Sequence, residues 1–279
     1  MPVKDVEKKV LREIREWENQ LLRYEPNDFQ LTFEKYIDQS FLMLPEKIQE
    51  QFFSMVDSWL FHLHAIVQGS QLQAEAKERI LSSARIFNPS IEKISDLKLL
   101  EINQLQYLAQ QQIARHRIYS FAQGGLSGSG SGLLLGMDIP AMAVINLRVV
   151  QLIAFSYGFE TNTPYEMMAS LKIFHAATLP KRMQHAGWME LVEEFSAEKD
   201  SYFYEGREAV TDAKWMEQPL QQMLKALLIF LFRKKDVQGI PMISMAIGAG
   251  MNYQLTKKVT DFAHHFYLLR FLQEKEGIN

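Results

Sequence analysis

An all-α fold follows from three features of this 279-residue chain. Apolar residues recur every three or four positions, Pro and Gly punctuate those stretches, and no alternating strand pattern bounded by turn pairs persists. No long linker separates two halves, so a single multi-helix domain is expected, with two glycine-rich apolar helical segments at its core. With 47% apolar and 23% charged residues the chain has globular composition, which excludes disorder as its resting state. The formal charge of −3 gives no general affinity for nucleic acid or anionic lipid, and leaves only a local basic patch as a route to either. The absence of cysteine rules out disulfides, thiolate metal sites and a thiol nucleophile, and fits a reducing cytoplasm.

The first element is amphipathic: Val3, Val6, Val10, Ile14, Trp17, Leu21 and Tyr24 share one helical face. Its polar face balances six Lys or Arg against six Asp or Glu between Lys4 and Glu25, unlike the basic face of a membrane-surface helix. Docking on the protein body or on a partner is therefore expected. It also lacks the apolar core of a signal peptide. Glu25 to Asp28 breaks the pattern, so residues 1–26 read as a helical extension and 27–279 as the main domain.

Further helical patterns run over 31–44, 45–67 and 72–87, punctuated by Pro45, Gly69-Ser70 and Asn88-Pro89. Ser95 or Asp96 offers an N-cap for a long helix that runs into a glycine cluster. Thr163, Pro164 and Glu166 form a capping-box signature for a later helix. Gly187, Gly206, Pro219 and Gly239 to Pro241 divide the remainder.

The glycine cluster has no phosphate-loop chemistry, because no lysine lies between Arg117 and Lys172. A dinucleotide fingerprint fails as well: Leu133 stands where its last glycine belongs, and a helix precedes it rather than a strand. No Gly-x-Ser-x-Gly elbow occurs there. Gly124, Gly128, Gly132 and Gly136 instead repeat every four residues, which makes a smooth groove on one helical face for close helix packing. Each glycine costs a helix roughly 1 kcal/mol relative to Ala, so a flexible Gly/Ser loop is the competing reading.

Asp138 and Pro140 mark the start of an apolar helix expected to end at Gly158. Arg148 sits in that helix and needs a carboxylate or carbonyl partner. Asp138 is poorly placed for it, about 15 Å away along the same helix. Gly124 to Leu147 and Val237 to Tyr253 come nearest to membrane spans, yet Asp138 interrupts one and Gly239, Pro241, Gly248 and Gly250 the other.

These residues carry a resemblance. The stretch from Gly124 to Glu160, with Gly124, Gly128, Gly132, Asp138, Pro140, Arg148, Ile153, Tyr157 and Gly158, resembles the central signature of the EcsC family. Pro241, Gly248, Asn252 and Arg270 look like its second glycine-rich motif, and the likeness extends from about Phe29 to Phe271. The resemblance implies a bacterial helical protein encoded beside the subunits of an ABC exporter and linked to secretion. It brings no catalytic residue with it.

The expected function is therefore a non-catalytic accessory protein, cytoplasmic or peripheral at the inner face of the cell membrane. Its partner would be a membrane protein or the inner leaflet, not nucleic acid. Gly124, Gly128, Gly132, Gly136 and Gly248 would form the packing groove. The alternative is an enzyme or ligand binder in which Arg148, Asp138 and Asn252 converge on an anionic group. No metal or other cofactor is expected: the histidines His62, His64, His116, His175, His185, His264 and His265 include no pair at ligand spacing, and Asp261 with His264 or His265 is an incomplete set. Leu227 to Tyr253, with cations at 233–235, could lie at an interface, whereas the acids of 190–200 read as a solvated face.

Overall fold

The computed structural model describes residues 5–25, 46–129, 132–195, 204 and 240–276. Side chains at 46–53, 55–56, 127–129, 132–140, 240–247 and 276 lie outside the described set, as do the expected helix over 31–44 and the segment over 205–239. Among the described residues every regular element is helical. The fold is all-α and forms one domain.

Eight α-helices are described: α1 (Asp5–Leu22), α2 (Glu46–Gln68), α3 (Gln71–Arg85), α4 (Ile102–Ser129), α5 (Gly132–Ser156), α6 (Pro164–Thr178), α7 (Gln184–Glu194) and α8 (Ile240–Glu276). The longest, α8, has 37 residues and runs antiparallel to α4 along most of its length. α5 packs on both, while α2 and α3 cover its outer side and α6 lines α8. Leu147, Val150, Leu152, Ile153, Phe262 and Phe266 fill the centre, all essentially without solvent contact. Burying each such side chain contributes about 1.5–3 kcal/mol.

The amphipathic first helix docks on the body. Val10 and Ile14 are buried, Trp17 stacks on His265 at 4.1 Å, and the Trp188 indole donates to Glu18 at 2.8 Å. The buried Glu7 carboxylate pairs with Lys275 at the end of α8, 2.8 Å away.

Several helix ends follow their local chemistry. Thr163 caps α6 by accepting from the Glu166 amide, with Pro164 at the first helical position. Gly158 has φ +84°, and the amides of Gly158 and Phe159 donate to Phe155 and Ala154. That is a Schellman stop, where L side chains are disfavoured.

Two expected caps need correction. Ser95 and Asp96 do not start the long helix; they lie in a 3-10 turn (Ile94–Leu99), and α4 begins at Ile102. The Asp96 carboxylate accepts from the amides of Glu92 and Lys93, so it caps the short turn instead. Asp138 is not an N-cap, because α5 already begins at Gly132. Pro140 then sits inside the helix and leaves the Gly136 carbonyl without its usual intrahelical donor.

Candidate functional site

The stretch 124–136 is helical up to Ser129 and again from Gly132, with 130 and 131 outside the described residues. Gly124 is buried, and a Cβ added there would stand 2.3 Å from the Gly248 carbonyl oxygen and 2.8 Å from the Asn252 amide nitrogen. Backbone meets backbone at this point, so no larger residue fits. Gly125, one position on, has only Ala249 Cβ at 3.9 Å and would accept a methyl group.

Below that contact, α4 and α8 are joined by a polar ladder. Asn252 Nδ2 donates to Gln123 Oε1 at 2.6 Å, and Thr256 Oγ1 donates to Ser120 Oγ at 2.8 Å. Arg117 donates to Thr260 Oγ1 and pairs with Asp261 at 2.6 Å. Asn252, Ser120, Thr256 and Thr260 are buried, so each needs its hydrogen bonds inside the protein.

Arg148 faces elsewhere. It projects from α5 toward α3 and donates from Nη2 to the Leu72 carbonyl oxygen at 2.9 Å. No carboxylate lies within ion-pair distance of it among the described residues, and its Nε is buried without an acceptor there. Its neighbours include Arg79, Arg115 and Tyr119, with Glu75 as the acidic group. Burial first, and then Arg79 and Arg115, hold its pKa below the usual guanidinium range. Of the two kinds of partner expected, a carboxylate or carbonyls, the structure supplies a single backbone carbonyl, with Arg79 and Arg115 as neighbouring cations. The Asp138 side chain lies outside the described residues, so Arg148 and Asn252 are the two members of the expected trio whose surroundings are seen. Their hydrogen bonds go to different helices.

A second buried arginine was not singled out for pairing by sequence. Arg270 of α8 has its Nη1 2.8 Å from Glu166 Oε1, and Tyr267 donates to the other carboxylate oxygen at 3.3 Å. The rings of Phe159, Tyr165, Phe266 and Tyr267 surround the guanidinium at 4.4–5.9 Å from their centroids. Burial, the largest single influence, would lower its pKa, but Glu166, Tyr267 and Tyr165 together with the Glu166 hydrogen bond raise it. Glu166 reads locally as a capping-box residue, and that local role hid its pairing 104 positions away.

The histidines are engaged singly. Tyr157 lies within 3.0 Å of His264 Nδ1, and His265 Nδ1 meets the Asp261 carbonyl oxygen at 2.7 Å while its ring stacks on Trp17. Among the described residues no group of three or more His, Asp or Glu could hold a metal ion.

Residues 8–272 match the EcsC protein family. The chain belongs to that family. It is 21% identical to Protein EcsC of Bacillus subtilis (strain 168) over 260 residues, 93% of this chain and 99% of the relative. No solved structure matches it. The family match begins inside α1 and ends at the last turns of α8, so it takes in both arginines and the Gly124–Gly248 contact. Among the described residues, no helix of this EcsC-family chain is long and apolar enough to cross a membrane.

Proposed function

We propose that this EcsC-family chain is a non-catalytic accessory protein that rests on the anionic inner face of the cell membrane. The outer face of α4 carries that reading. At 100° per residue, Ala114, Arg115, Ile118, Tyr119, Phe121 and Ala122 fall on one arc of the helix. Ile118 is 65% exposed, Phe121 54% and Tyr119 50%. Large aromatic and branched side chains grouped on a solvent face call for a partner surface. α4 contains no acidic residue, and Arg115 stands within the arc, so the complementary surface is apolar and negative. The close contact of Gly124 with Gly248 would keep that helix pinned to α8 behind the surface; the side of the expected groove formed by Gly128, Gly132 and Gly136 lies outside the described residues. The family's association with an ABC exporter and secretion fits work done at the membrane without spanning it.

Fractionation of cells expressing the full chain tests this. The protein is expected in the membrane pellet, released in part by high salt and fully by carbonate. Ile118→Asp with Phe121→Asp should move it to the supernatant while leaving its circular dichroism intact. A wild-type protein found wholly in the supernatant at low salt rejects the reading. The rival reading, an anion pocket shared by Arg148, Asp138 and Asn252, draws support from the open guanidinium of Arg148 alone, since Asn252 donates to Gln123 on a different helix contact.

A further inference from the structure

Three helices that pack on one another each contribute an arginine to the same edge of the molecule. Arg148 of α5 reaches the first turn of α3 through the Leu72 carbonyl. Arg79 lies two turns further along that face of α3, since positions 72, 75 and 79 follow the helical repeat. Arg115 lies one turn before Tyr119 on α4, and the Tyr119 ring packs edge-on against His116 at 5.5 Å.

The three guanidiniums are poorly neutralised. Arg79 has Glu75 at 4.0 Å, in a pair half open to water, which contributes little. Arg148 donates to one carbonyl, and its Nε is buried with no acceptor among the described residues. His116 is buried beside them with Nδ1 on the Gln112 carbonyl oxygen, and its Nε2 has no partner among the described residues. Burial, and then the field of the arginines, lowers its pKa to about 4. Clustered like charges with a single weak counter-ion are a standing cost that a bound oxyanion would remove.

We propose that Arg79, Arg115 and Arg148 form a binding site for a phosphate group, presented by the headgroup of an anionic lipid. Planar guanidiniums match phosphate oxygens in geometry, and Tyr119 adds a hydroxyl donor at the rim. The exposed Leu72 and Tyr119 side chains stand beside the site, where an acyl region would follow a headgroup. The lipid as source rests on the membrane reading above; the phosphate chemistry does not.

The test uses the full chain, the double variant Arg79→Gln/Arg115→Gln, and a charge-matched control, Arg12→Gln/Arg15→Gln, on the exposed face of α1. Co-sedimentation with vesicles of mixed phosphatidylcholine and phosphatidylglycerol is compared with pure phosphatidylcholine. Thermal melts in phosphate and in chloride at equal ionic strength form the second arm. Wild-type protein should bind the mixed vesicles, and the Arg79/Arg115 variant should bind them about thirtyfold more weakly, given the usual contribution of two surface arginines. The control should stay within about twofold of wild type. Equal weakening of both variants overturns the site and leaves the membrane reading standing. Stabilisation by phosphate that the Arg79/Arg115 variant loses, without vesicle binding, keeps the site and rejects the lipid source. If neither arm separates that variant from wild type, the proposal is overturned.

Discussion

Arg148 and Arg270 are the same residue type on two largely apolar helices, and the structure treats them in opposite ways. Arg270 is enclosed, with 8% side-chain exposure, and meets a carboxylate that is itself 6% exposed. Arg148 is half-buried, bonded to one backbone carbonyl, and set among Arg79 and Arg115. Removing two charges from water is costly unless their geometry and hydrogen bonds compensate, and the Arg270 pair meets that demand. Arg148 does not, so its charge is poorly explained by folding alone. The contrast separates an arginine that the fold needs from one that a ligand can use.

The strongest way to break this contrast acts on Glu166. Glu166→Ala strands the Arg270 charge in an aromatic box and should lower stability by about 3–5 kcal/mol in urea unfolding. The double variant Glu166→Met/Arg270→Met should recover much of that loss. Equal instability of the single and double variants would show that packing, and not charge pairing, governs this corner.

Acid comes next, because two buried histidines, His116 beside Arg148 and His264 on α8, resist protonation. His116 beside Arg148 has its pKa lowered to about 4, by burial and then by neighbouring arginines. His264, one turn before Tyr267, is lowered to about 3 by burial first. A depressed histidine pKa means that the unfolded chain takes up a proton near pH 6.5 while the native one does not. Stability is therefore full above that pH and falls as the pH drops toward the native pKa. His116→Gln should remove about 3 kcal/mol of that acid loss between pH 6.5 and 4. A phosphate ligand at the arginines should reduce the same slope, by offsetting their field at His116. An unchanged pH profile in His116→Gln would place the acid sensitivity elsewhere.

The glycine contact gives a smaller and more local effect. Gly124→Ala should cost about 2 kcal/mol, since its methyl group meets the Gly248 carbonyl, whereas Gly125→Ala should gain up to about 1 kcal/mol from helix propensity. Thermal melts that rank these two the other way would dismiss the close approach of α4 and α8. The smallest effect is expected at the open arginine: Arg148→Met should change stability by less than about 1 kcal/mol, because relief of repulsion offsets one lost hydrogen bond. A loss as large as that of Glu166→Ala would erase the distinction between the two arginines.

Legibility in the sequence tracked the range of each interaction. The α1 face, the Thr163 cap and the Gly158 stop depend on residues within a few positions, and all three were readable. The start of α4 was misplaced because Asp96 satisfies a short turn as well as it would a helix. Asp138 misled for a related reason: Asp-x-Pro favours a helix start, yet α5 continues upstream through the leucines at 133–135 to Gly132. The need of Arg148 for a partner was legible from its apolar helix, but the Leu72 carbonyl was not, since only folding brings α3 there. The Glu166–Arg270 pair was out of reach for the same reason.

α8 has one further consequence. A single helix carries both Gly248, held against the backbone of α4, and Arg270, held inside its box, 22 residues and about 33 Å apart. Helical phase is therefore shared between the two anchors. Inserting one residue between them would turn Arg270 by about 100° and point its charge away from Glu166. Inserting seven would return it to within about 20° of its original heading, displaced by two turns along the axis. Length variation in α8 is thus confined to whole turns, and even these demand that the Glu166 corner move outward by the same distance.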